Sequence, residues 1–191
     1  MASQRISEVA LQLFSTRGYE GTSLADIAEL VGIKKSSIYN HYKDKDDLFL
    51  HIFEKSCREE LAFRRKTIET RKLTDTKISL EEFIKTARFH ILNNYYAKFA
   101  FRFTMFPPYH LVDMLKDKIE HFFIDLHSII FEGLKFYPEY TQLSEDALQQ
   151  LASHYILLLK GTFADQLNHQ YTKESPLTEP AWTHFHAHYK K

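Results

Sequence analysis

The chain has 191 residues with 25 Lys and Arg set against 25 Asp and Glu. That length holds one ordinary domain or a small module joined to a larger one. The balanced charge excludes a globally basic nucleic-acid binder but leaves room for a local basic patch. Only five glycines and five prolines occur, with no proline before Pro107. With no alternating run of β-branched residues, this predicts an all-α chain. The single Cys57 excludes an internal disulfide framework and fits a reducing cytoplasm. The N-terminus lacks the basic-then-apolar pattern of a signal peptide. The longest apolar run, Tyr155 to Leu159, is far too short to span a bilayer. A soluble cytoplasmic protein without membrane association is therefore expected.

Ile6, Val9, Ala10, Leu13 and Phe14 recur at helical spacing and predict a helix over about 4–17, stopped by Gly18. In "YEGTSLADIAELVG", Ser23 is a good N-cap with Asp26 three residues on. Leu24, Ile27, Ala28 and Val31 form the buried side of that short helix, and Gly32 ends it. A third helix is expected over about Lys35 to Tyr42. Asp44 then caps a long fourth helix, whose first apolar face is Leu48, Phe49, Ile52 and Phe53 and which runs to about Glu69. Three short helices, the last two separated by a glycine turn, predict a helix-turn-helix over about 23–42.

Beyond this, "LTDTK" (73–77) reads as a connection and Leu80 to Lys98 as one helix. "FAFRFTMFPPYH" is an aromatic segment broken by Pro107 and Pro108. Ile119, Phe122, Phe123, Leu126, Ile129 and Ile130 space a core helix over Lys116 to Phe136. "PEYTQLSED" is a loop, and Ser144 with Ala147 opens a helix to about Gln170. "TKESPLTEP" is a second loop, and Pro180 to Tyr189 a closing helix. About nine helices are expected in all.

The third helix carries few apolar residues. Ile38 and Tyr42 stand four apart and can face inward, which leaves Lys35, Ser36, Ser37, Tyr39, Asn40 and His41 on the other faces. An α-helix fits the major groove of B-DNA, where short donors and acceptors reach base edges and phosphates. Ser37 and Tyr39 carry hydroxyls suited to phosphate. Lys45 stands near the start of the fourth helix, where the dipole also favours an anion.

The stretch "GTSLADIAELVGIKKSSIYNHYKDKDDL" resembles the DNA-binding signature of the tetracycline-repressor (TetR) family of bacterial transcription regulators. Phe14, Gly18, Thr22, Ser23, Ile27, Ala28, Gly32, Ile33, Ile38, Tyr39, His41, Tyr42, Lys45 and Leu48 fall at the family's positions over about residues 6–50. Ser36 stands where many members have glycine or proline, and Asn40 where an aromatic is common. The resemblance implies a DNA-binding domain over 1–47 and a ligand-binding and dimerisation domain over 48–191. It implies that Thr22 and Ser23 meet phosphate near the start of the second helix, with Ser37, Tyr39 and Lys45 as further phosphate contacts. Lys34, Lys35, Ser36, Asn40 and His41 are the implied base-reading set. Lys35 suits a guanine edge and Asn40 an adenine.

Ten of the sixteen phenylalanines lie between Phe83 and Phe136. Most read as aromatic core, but consecutive aromatics in one helix cannot all face one neighbour. The resemblance implies an effector pocket between helices five to eight. Candidate wall residues are Phe89, Asn93, Phe103, Met105, Phe106, Phe123, His127 and Tyr155, with His90 and Asn93 as orienting polar groups. The implied effector is a small apolar or aromatic molecule. The resemblance also implies a homodimer on a palindromic operator. The apolar stripe Leu148, Leu151, Tyr155, Leu158, Leu159, Thr162 and Phe163, continued by Trp182, Phe185 and Tyr189, is assigned to that interface. The alternative is that the stripe packs inside its own bundle.

His184 and His188 stand four apart, but no carboxylate or cysteine is near them in sequence. No metal or cofactor is expected. Neither HExxH, nucleophile elbow, P-loop nor Glu-x-x-His pair occurs, so no enzyme activity is expected. A ligand-responsive repressor leads. An architectural or division-linked DNA binder without a small-molecule effector is the alternative.

Overall fold

The structure is a computed structural model. It describes residues 2–74, 80–137, 140–168 and 178–189, apart from the side chains at 71–74, 80–85, 88, 166–168, 178, 179, 182, 186 and 189. Among the described residues the chain is all-α. Its helices are α1 (Ala2–Arg17), α2 (Leu24–Val31), α3 (Lys35–Ile38), α4 (Lys45–Thr74), α5 (Leu80–Asn93), α6 (Tyr95–Met105), α7 (Val112–Leu134), α8 (Glu145–Asn168) and α9 (Thr178–Tyr189). A 3-10 turn, Tyr109–Leu111, leads into α7. No helix among the described residues is long and apolar enough to cross a membrane. The chain forms two compact units, Met1–Glu60 with Leu92–Ile119, and Leu61–Ile91 with Glu120–Lys191.

The start of α2 follows its sequence signals. The Ser23 side chain accepts from the Asp26 N–H, and the Asp26 carboxylate accepts from the Ser23 N–H at 2.8 Å. This reciprocal pair satisfies donors that a helix start otherwise leaves unpaired. At the other end Gly32 has φ +79°, and its N–H bonds the Glu29 carbonyl at 3.1 Å while the Ile33 N–H bonds that of Ala28 at 3.0 Å. Those paired bonds form a Schellman stop. A Cβ at Gly32 would meet nothing within 4 Å. The Gly32→Ala substitution should therefore cost only the left-handed backbone penalty, roughly 1–2 kcal/mol. Urea unfolding checks this, and a loss below a few tenths would mean the turn relaxes.

Several helix bounds differ from expectation. α3 is one turn, not two: the His41 and Tyr42 N–H groups both bond the Ile38 carbonyl, so the chain tightens and leaves the helix. The helix expected over 80–98 breaks at Asn94. Its backbone is extended, and its side chain accepts from the Ala97 N–H at 3.1 Å, capping α6 instead of continuing α5. α4 runs five residues past Glu69, and α7 begins at Val112 rather than Lys116. Ser144 does cap α8, accepting from the Ala147 N–H at 3.2 Å. Residues 75–77 of "LTDTK", 138–139 of "PEYTQLSED" and 172–177 of "TKESPLTEP" lie outside the described residues.

The core of the first unit is aromatic. Phe49 is completely buried and lies 5.5 Å from Phe14, 5.2 Å from Tyr19, 5.2 Å from Phe99 and 4.9 Å from Phe103, ring centre to ring centre. Ile6, Ile27, Ile38 and Leu48 complete it. α6 closes over the end of α1. There Arg102 Nη1 donates to the Ser15 carbonyl at 3.1 Å, satisfying an acceptor that the helix end leaves open. Gly18, at φ +82°, ends α1.

In the second unit, α7 and α8 are joined by His127, whose Nε2 lies 3.2 Å from the Gln149 carbonyl and 3.0 Å from Ser153 Oγ. Leu126, Ile130, Leu134, Leu151, Tyr155 and Leu159 are buried there.

Candidate nucleic-acid interface

The polar segment Lys34 to Tyr42 is built on two anchors. Ile38 is fully buried in the first unit's core. Tyr42 is 5 % exposed, with its hydroxyl 3.0 Å from Ser3 Oγ of α1. Everything else on the segment faces outward. Lys34, Lys35, Ser36, Tyr39, Asn40 and His41 are exposed, and Ser37 is half-buried. Among the described residues, no hydrogen bond or ion pair engages any of these side chains. The structure thus brings seven of the ten expected DNA-contacting residues into one continuous, uncommitted polar surface.

The other three behave differently. Ser23 is exposed, but its hydroxyl serves the α2 cap, donating to Asp26 Oδ2 at 2.7 Å. Those bonds hold the Asp26 carboxyl below the usual carboxylate range. Thr22 is a correction. It is 1 % exposed, and its hydroxyl donates to the Gly18 carbonyl at 2.9 Å. The group expected to meet phosphate instead closes the α1–α2 turn, where it satisfies a carbonyl at a helix end. Lys45 is half-buried, with Nζ 3.8 Å from the centre of the Tyr19 ring, an ammonium on an aromatic face.

The start of α4 carries the expected Asp44 cap, within a larger cluster that sequence reading missed. Asp44 Oδ1 accepts from the Asp47 N–H at 2.8 Å, and Asp47 Oδ2 from the Lys43 N–H at 2.9 Å. Between them, Asp46 Oδ1 accepts the Tyr19 hydroxyl and lies 3.2 Å from His110 Nε2. Burial alone would raise the Asp46 pKa. The hydrogen bonds from Tyr19 and His110, with the charges of His110 and Lys45, outweigh it and hold the carboxyl below its ordinary value. A carboxylate favoured in the folded state stabilises the fold above the ordinary carboxylate range. That contribution is lost as pH falls through the depressed pKa. Burial and the Asp46 carboxylate push the Tyr19 hydroxyl up. Asp46 at the start of a helix was a visible signal. His110, 64 residues further along, carried none.

The expected effector-pocket residues divide between the two units. Phe103 belongs to the aromatic core of the first unit, packed on Phe49 and Phe99. Phe106 is 56 % exposed, just past the end of α6, and Phe89 is 69 % exposed on α5. Asn93 is exposed and Met105 half-buried. His90 stacks on Phe63 of α4 with ring centres 3.4 Å apart. Phe123 lies under Lys160 Nζ at 3.6 Å, His127 bonds α8, and Tyr155 is fully buried. Phe103, Met105 and Phe106 fall in the first unit, whereas Phe123, His127 and Tyr155 fall in the second.

The expected dimer stripe is also revised. Leu148, Leu151, Tyr155, Leu159, Thr162 and Phe163 are buried within the second unit, as is Phe185. They follow one face of α8 at helical spacing, and the bundle covers that face. The neighbouring face carries Leu157, 61 % exposed, with half-buried Leu158. Here α8 and α9 enclose a groove of about 510 Å³ lined by His154, Leu157, Leu158, Ala181, His184, Phe185 and His188. The side chains of Trp182 and Tyr189 lie outside the described residues. No cluster of three or more potential metal ligands occurs among the described residues, His184 and His188 included. Cys57 is half-buried, and burial pushes its thiol up to about 12.

The polar segment lies in the part of the chain that matches known proteins in sequence. Residues 6–52 match the model of bacterial regulatory proteins of the tetR family. Over 53 residues the chain is 51 % identical to the HTH-type transcriptional regulator AcrR of Shigella flexneri, covering 28 % of this chain and 25 % of that protein. It is 47 % identical over 45 residues to the biofilm operon icaADBC negative transcriptional regulator IcaR of Staphylococcus epidermidis, covering 24 % of each. The matched region thus spans about a quarter of the length of these curated relatives. Solved structures share the fold over nearly the whole chain. A TetR-family regulator from Mesorhizobium loti superposes with TM-score 0.62 at 19 % identity, covering 97 % of this chain and 95 % of that one. AibR, solved in complex with isovaleryl coenzyme A and operator DNA, superposes with TM-score 0.63 at 16 % identity, covering 98 % and 97 %.

Proposed function

We infer, from a chain that belongs through residues 6–52 to the tetR family of bacterial regulatory proteins, a DNA-binding transcriptional regulator that acts as a repressor. The observation that carries this reading is the surface of Lys34, Lys35, Ser36, Ser37, Tyr39, Asn40 and His41. These polar side chains are held outward by two buried anchors and spend no hydrogen bond within the described residues. A helix face of this kind presents donors and acceptors to base edges and phosphates in a groove.

In this reading residues 1–47 contact DNA, and 48–191 bind the effector and a second copy of the chain. Two copies place their reading segments on a palindromic operator, and a small apolar or aromatic effector releases it. Differential affinity of that effector for the two states supplies the switch. The chain's relatives AcrR and IcaR carry the names of transcriptional regulators, the latter a negative one.

Footprinting of the purified protein on the promoter region of its own gene, across a salt series, tests the proposal. A two-fold symmetric footprint with a steep salt dependence is expected. Protection without sequence preference would instead support an architectural binder, and no protection at low salt by a folded dimer would refute DNA binding.

A further inference from the structure

We infer that His110 is a positioning residue for Lys45: it holds the Asp46 carboxylate away from the lysine and so keeps that ammonium available to a DNA phosphate. The inference rests on the DNA-binding reading above. Lys45 opens α4, and its Nζ lies on the Tyr19 ring at 3.8 Å. No ion pair among the described residues involves it. Burial lowers its pKa, and the charges of Glu20 and Asp46 oppose that by favouring the ammonium, so both carboxylates compete for it. Asp46 is its immediate neighbour in the chain. An internal Lys45–Asp46 pair would neutralise the cation that the interface needs.

Two groups occupy that carboxylate. The Tyr19 hydroxyl donates to Oδ1, and His110 Nε2 lies 3.2 Å from the same oxygen. The Tyr19 ring is itself fixed, 5.8 Å from Phe14, 5.2 Å from Phe49 and 5.1 Å from the His110 imidazole. His110 comes from the 3-10 turn after Pro107 and Pro108, whose rigid backbone delivers the imidazole to the start of α4. Leu111, next to it, is 2 % exposed and anchors that turn in the first unit's core. The turn between α6 and α7 therefore supplies, through His110, the second of the two groups that hold Asp46 Oδ1.

The test uses the full chain, its operator duplex from the footprint, and a salt series for wild type, His110→Ala, Asp46→Asn and the double variant. His110→Ala should weaken binding about three- to tenfold and lower the salt slope by about 1.8, roughly 0.9 for the one phosphate that each of the two copies no longer neutralises. Asp46→Asn in the same chain removes the competing charge and should restore both affinity and slope. His110→Gln keeps an N–H donor and should bind within about twofold of wild type. A merely structural role for His110 predicts the opposite pattern, with the double variant weaker than either single one. That result, or a His110→Ala protein with unchanged affinity and slope, would overturn the inference while leaving the DNA-binding reading intact. A wild type that binds no duplex would overturn both. The His110 side chain is 46 % exposed, so the variants should fold, and circular dichroism at the assay temperature verifies it.

Discussion

Replacing Phe49 by alanine is expected to lower the unfolding free energy by about 3–5 kcal/mol. Phe49 is fully buried at the first apolar turns of α4, and rings from α1, the α1–α2 turn and α6 surround it. Truncation removes the transfer energy of the ring and leaves a cavity lined by other rings. Phe14, Phe99 and Phe103 are held by their own neighbours and cannot collapse into it. The smaller truncation Phe49→Leu removes fewer atoms and should cost clearly less than the alanine variant. Denaturant unfolding of the two variants gives the comparison. Losses of equal size would mean that aromatic shape rather than volume decides the site. A loss below about 1 kcal/mol for alanine would mean that the core can repack.

The double substitution Lys34→Ala with Lys35→Ala is expected to do the reverse, sparing stability and removing DNA binding. Both side chains are exposed, and neither has a hydrogen bond or ion pair among the described residues. Their removal should change stability by no more than about 0.5 kcal/mol. Binding should fall by roughly two orders of magnitude at moderate salt. The slope of log affinity against log salt should drop by about 0.9 for each phosphate the protein ceases to neutralise. The single Lys35→Ala variant separates positioning from reading. A guanine contact predicts a loss of about 1–3 kcal/mol confined to operators carrying that base, with little effect on unrelated duplexes. A uniform loss on every duplex would make Lys35 a phosphate contact.

Much of the first 50 residues was legible because their signals are local. Ser23 and Asp26 cap α2 by contacts three residues apart, and Gly32 ends it with a backbone conformation that only a few residue types adopt easily. Ile38 and Tyr42 could be assigned inward from spacing alone. The seven-residue polar surface then followed as what remained. Thr22 was misread because its sequence position said nothing of the Gly18 carbonyl waiting one turn back. Asn94 was passed over inside a helical pattern, although a side chain of its type competes with the backbone for the same donors.

In the rest of the chain, periodicity showed which residues are apolar together but not what covers them. The α8 stripe from Leu148 to Phe163 was a correct apolar face given the wrong partner, since a helix buries such a face equally well against its own bundle or a second copy. The aromatic segment around α6 had the same ambiguity, and packing sent Phe103 inward and Phe106 to solvent. By itself, then, the sequence determined the all-α class, the helix-turn-helix and its outward polar face, because capping, turn chemistry and helical spacing act within a few residues. Only the tertiary structure decided which aromatic faces meet, that Thr22 is spent internally, and that His110 reaches Asp46 across 64 residues. Those contacts are made by the folding of distant segments onto each other, and no local pattern encodes them.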